Sequence, residues 1–119
     1  MPNHPYLQAA EAEGRVRVRV LIEDGDVVVR VYQPTELTLS ELFPIIDHFG
    51  VVVSDEWAEP NASEGGATVD SFRVARVPGL STAELMARQD KLVAGLEAVF
   101  EKKMASDPLN KLVLRRNLP

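Results

Sequence analysis

Few side chains in this sequence stand at spacings that support chemistry, and the most suggestive of them are arginines. Arg15, Arg17 and Arg19 alternate with valines, so they project from one side of an extended strand, and Arg30 and Tyr32 follow on the next apolar run. Such a row can pair with acidic neighbours such as Glu56 and Asp70, or meet a sister domain. It can also bind RNA, as sheets that stack bases on aromatic side chains do, but the paired aromatics of such sheets are missing here. The second group is the turn Gln33, Pro34, Thr35, Glu36, with Thr38 and Ser40 just beyond it. This turn leads into a helix N-terminus, whose free amides would suit the carboxylate of an amino-acid effector.

The remaining candidates have simpler readings. His4 and His48 lack ligand-spaced partners, and the absence of cysteine removes thiolate metal sites and disulfides. Glu23, Asp24 and Asp26 crowd a hairpin tip but offer too few oxygens over too short a span for a calcium loop. Asp55 and Glu56 are adjacent in a strand and point to opposite faces, which is wrong for a paired acid and base. Gly65-Gly66 precedes a strand rather than a helix, so it forms no phosphate cradle. No catalytic, cofactor-binding or metal-ligating residue is expected. At 119 residues, 45% hydrophobic and 26% charged, the chain is one ordinary globular domain. Its net charge of −5 argues against a general nucleic-acid role. No apolar run is long enough to span a membrane and no leader is visible at the start, so the expected location is the cytoplasm.

The elements that position these groups are legible from periodicity. Residues 1–14 read as a linker, with a short helical turn over 7–13 ended by Gly14. Strands are predicted over 15–22 and 27–33, joined by a hairpin at Asp24-Gly25, with Val16, Val18, Val20 and Ile22 facing Val27, Val29 and Val31 across the inner side. The first helix starts at a Thr38–Glu41 capping box, buries Leu39, Leu42, Ile46 and Phe49, and ends at Gly50. Val51, Val52 and Val53 open a third strand. After a loop over 60–66, a fourth strand runs over 67–77, and its non-alternating Val69, Phe72, Val74 and Val77 predict a bulge or bend. Ser81 and Glu84 begin a second helix expected to continue to about 103, with Arg88, Asp90, Lys91 and Glu97 on its wet side.

The order strand-strand-helix-strand-strand-helix defines an α+β, ferredoxin-like fold in which the first strand takes the place of the usual last one. The expected sheet is four antiparallel strands in the order 1-2-4-3, with both helices on one face and the arginine face open. Residues 105–119 are expected to be an extension leading into a region beyond this segment.

Two blocks carry a family resemblance. Val31-Tyr32-Gln33-Pro34, Leu39 to Gly50 and Val51 to Glu56 resemble a strand–turn–helix–strand block of the large bacterial NAD-specific glutamate dehydrogenases. Asp107, Asn110 and Leu112-Val113-Leu114 resemble that family's Asp-x-x-Asn-Arg-Leu-Val-Leu run, in the same order and at about the same separation. Gln33-Pro34-Thr35-Glu36 lacks the glycine often found at the family's turn, and Arg115-Arg116-Asn117 replaces its usual Ala-Gly. The resemblance implies an ACT-like domain over 15–104, taken from the N-terminal regulatory region of such an enzyme. The parent would oxidise glutamate to 2-oxoglutarate and ammonia with NAD as cofactor, and its nicotinamide site would lie outside this segment. The domain's partners would be other domains or subunits of the enzyme. Two other functions stay open: a free-standing amino-acid sensor using the Gln33–Ser40 turn, and an RNA-binding module.

Overall fold

In a computed structural model the residues described are 4–34, 38–58, 68–101, 110 and 114, with the side chains of residues 4, 5, 7 and 11 excepted. The strands β1 (Arg17–Glu23) and β2 (Asp26–Gln33) pair in register from Arg17 opposite Tyr32 to Glu23 opposite Asp26. Asp24 and Gly25 close this hairpin, both with positive φ (52° and 83°), the geometry of a tight two-residue turn that Asp-Gly favours. β3 (Val52–Ala58) and β4 (Thr68–Arg76) complete an antiparallel sheet in the order β1-β2-β4-β3, as the sequence predicts.

The helix α2 (Leu39–Asp47) begins as expected. Thr38 accepts a hydrogen bond from the Glu41 amide while the Glu41 carboxylate accepts one from the Thr38 amide. Gly50, at φ 83°, lets the chain turn directly into β3. The second predicted helix is two: α3 (Thr82–Ala87), started by the Ser81–Glu84 capping box, and α4 (Gln89–Phe100). Arg88 interrupts them at φ −109°, ψ 12°, and its guanidinium donates to the Leu114 carbonyl at 2.8 Å. Periodicity reports neither the break nor the contact made at it.

The core lies between the valine face of the sheet and these helices. Val16, Val18, Val20, Val27, Val29, Val31, Phe72 and Val74 meet Leu42, Ile46, Phe49, Leu85, Leu92, Leu96 and Val99. Each such side chain contributes about 1.5–3 kcal/mol by leaving water. Gly95 is buried against Phe49, and a Cβ there would stand 2.6 Å from Phe49 Cε2, so only glycine allows α4 to approach the end of α2 this closely. Leu114 belongs to the same core. Ile22, expected inward, is 53% exposed because β1 outruns the core at the hairpin.

The largest departure is at the N-terminus. The expected linker is a helix, α1 (His4–Glu13), rich in strong helix formers. It closes through Gly14 at φ 64°, with the Arg15 amide donating back to the Ala10 carbonyl at 3.2 Å. It packs on the opposite face of the sheet from α2, α3 and α4, which was expected to be open. Ala10, Tyr32 and Val69 form a small second core there with Tyr6 packed against it. This explains the broken alternation of β4. Val69 faces α1 while Phe72 and Val74 face the main core; Val52 pairs with Arg76 and Val53 with Val74, so Ala75 is an extra residue in β4, the irregularity expected there, and Ser54 is an extra residue in β3.

Candidate functional site

The arginine face is real, but it is a covered and paired surface. The register sets Arg17 opposite Tyr32 and Arg19 opposite Arg30, and brings Ser71 beside Arg30 from the other side. Tyr6 of α1 stacks on Tyr32 with ring centroids 5.2 Å apart, and the Arg19 guanidinium lies 4.9 Å from the Tyr6 centroid. Tyr32 is wholly buried. Its burial pushes the phenol above its ordinary value, with Arg19 and Arg30 opposing the shift. Arg30 is 3% exposed, donating from Nε to Ser71 Oγ at 2.9 Å and from Nη2 to Glu23 at 2.8 Å.

The acids that pair with this row are not those expected. Glu56 stands opposite Phe72, and Asp70 opposite Val31, so both belong to the inner side of the sheet. Arg17 instead reaches Glu13 at 2.8 Å and Glu97 at 3.4 Å, and Arg15 reaches Glu13 and Glu101. Arg17 and Arg15 hold the Glu13 carboxyl below its ordinary value. Glu97, expected on the wet side of its helix, accepts the Val18 amide at 2.8 Å on the edge of β1. Helix periodicity points Glu97 away from the apolar stripe; only the position of the strand edge shows what it meets.

The turn before α2 offers less than its sequence suggests. Thr35 and Glu36 lie outside the described residues. Gln33 is buried and its side-chain amide donates to Asp70 Oδ2 at 2.8 Å. Burial raises the Asp70 carboxyl above its ordinary value, partly offset by that hydrogen bond. Thr38 is committed to capping, Pro34 is half-buried and Ser40 is exposed. Of the groups expected to hold an effector, Gln33 and Thr38 are thus engaged with the fold itself.

Elsewhere, a cavity of about 270 Å³ sits between the β1–β2 hairpin and the corner leading into α3, with Asp26, Arg76, Ser81 and Thr82 on its wall. Ser81 is occupied by its cap, and no histidine or lysine on that wall could activate a hydroxyl. Among the described residues no group of three His, Asp or Glu side chains could hold a metal ion. The hairpin acids are ion-paired, Glu23 with Arg30 and Asp26 with Arg73 at 3.4 Å. His4's side chain and Gly65-Gly66 lie outside the described residues, and His48 is the C-cap of α2. Asp55 and Glu56 lie on opposite faces, Asp55 bonding Arg73 at 2.6 Å. Sequence reasoning did not single out Trp57, whose ring lies 5.2 Å from the Arg73 guanidinium on the α1 side of the sheet. Its place two residues beyond Asp55 was the available signal. No helix of the described residues is long and apolar enough to cross a membrane. No protein-family model matches this chain, and no curated protein matches it.

Proposed function

We propose that this chain is a noncatalytic regulatory or assembly domain, the ACT-like segment of a large NAD-dependent glutamate dehydrogenase acting in the cytoplasm. The observation that carries the reading is the α2–β3 passage. The residues resembling the enzyme family form one continuous capped helix, Gly50 turn and strand on a β1-β2-β4-β3 sheet. Asn110 and Leu114, from the second resembling block, are both buried, and Leu114 packs in the same core as that helix. Tyr32 lies beneath Tyr6, so it is not available for stacking bases, which weighs against the RNA reading. The capped and buried polar groups of the Gln33–Ser40 turn weigh against the sensor reading in the same way.

The test has two arms. The reading frame is expected to continue past residue 119 into a polypeptide that reduces NAD with glutamate. The 119-residue chain, titrated calorimetrically with a panel of amino acids, is expected to give no saturable heat. A frame that closes at residue 119, with saturable heat for one amino acid abolished by substitution at Gln33 or Ser40, would overturn the assignment in favour of a sensor.

A further inference from the structure

The two edges of the sheet are unlike. At β1, Glu97 of α4 occupies the Val18 amide and engages Arg17, so a helix side chain stands where another strand would pair. At β3, Ser54, Asp55, Glu56 and Ala58 are exposed, and no described element shields them in this way. Alternate backbone amides and carbonyls of an edge strand point outward and form a template for a further strand. Beside this edge lies a shallow groove of about 460 Å³ lined by Phe43, Val53, Ser54, Asp55 and Glu56. Phe43 is 37% exposed, large apolar surface that the domain itself leaves in water.

Charge selects the occupant. α2 and β3 carry Glu41, Asp47, Asp55 and Glu56 and no lysine or arginine, whereas the described arginines lie on or beside β1, β2 and β4 or between α3 and α4. Glu56 has no ion-pair partner among the described residues, and Asp55 keeps 56% of its side chain exposed beside Arg73. A second copy docking edge to edge about a two-fold axis would set these acids against their own equivalents, which like charges disfavour. A basic strand meets no such penalty.

We propose that the β3 edge docks an extended basic segment of another polypeptide as a fifth strand. An apolar residue of that segment covers Phe43 and Val53, while lysine or arginine neighbours Glu56 on one face and Asp55 on the other. This site rests on the edge and its charge alone, independently of the enzyme assignment.

The test is an NMR titration of the isotopically labelled chain with the six-residue peptide Val-Lys-Lys-Lys-Val-Lys, which sets lysines on both faces of a strand and valines on one, and with its counterpart carrying glutamate in place of lysine, alongside light scattering. The lysine peptide is expected to saturate, to shift the amides of residues 52–58, and to bind about tenfold more weakly to Glu56→Lys. Asp90→Lys, an equal charge change on α4, is expected to leave its affinity unaltered. Four results would overturn the proposal: no saturable binding, equal binding of both peptides, shifts that map away from β3, or a dimer of the chain that itself protects the β3 amides.

Discussion

Both faces of the sheet are covered, but by different physics. The inner face joins valines from β1 and β2 to two apolar helix stripes, and its polar insertion is the buried Gln33–Asp70 pair. The outer face has one short helix, one stacked tyrosine pair and a set of arginines joined to acids that arrive from both ends of the chain. Burial without direction dominates the first, and geometry-dependent contacts dominate the second. The inner face should therefore set global stability, while the outer face should set whether α1 stays docked.

Substitutions can break this contrast. Phe49→Ala, which empties the inner core beside Gly95, is expected to cost about 3–5 kcal/mol in denaturant unfolding. Gly95→Val is expected to cost about 1–3 kcal/mol by overpacking the same place, and Phe49→Leu should recover part of that loss in the double variant. A Gly95→Val variant as stable as the parent would show that the two helices are free to separate.

On the outer face, Tyr6→Ala removes the stack on Tyr32 and the seat of Arg19, and is expected to cost about 1 kcal/mol. Hydrogen exchange should accelerate in α1 far more than in α4; equal acceleration would mean that the two faces unfold as one. Glu97→Ala exposes the edge of β1, and faster exchange at the Val18 amide with a loss of about 1 kcal/mol is expected.

The smallest effect has opposite signs on the two faces. Asp70 is raised above its ordinary value of 3.8, so the folded chain holds that proton more tightly than the unfolded one. Its contribution is present below pH 3.8 and is lost as pH rises through the folded value. Asp70→Asn should therefore match the parent in acid and exceed it at neutral pH. Glu13 is lowered below 4.5 by Arg17 and Arg15, so its contribution is present above 4.5 and is lost as pH falls. Thermal melts of Asp70→Asn and Glu13→Gln across pH 3–7 should move in opposite directions relative to the parent.

Local rules were enough for much of this molecule. The Asp24-Gly25 hairpin, the two capping boxes, the Gly50 stop and the inward valines each depend on residues within a few positions of one another, and periodicity reported them together with the sheet order. The outward direction of Arg17, Arg19, Arg30 and Tyr32 was legible for the same reason. What those side chains meet was not. Tyr6 lies 26 positions before Tyr32, and Glu97 lies 79 positions after Val18, so no local pattern links them. Residues 4–13 have the composition of a helix but almost no apolar stripe, and a helix of that kind is stable only once a surface such as Tyr32 and Val69 receives it. The sequence alone determined the four strands, α2 and the start of α3, and which side of each is apolar, because these are properties of neighbouring residues. Only the tertiary structure decided that the arginine face is closed, that α4 guards one edge and that β3 is left exposed, because each is a meeting of surfaces far apart in the chain.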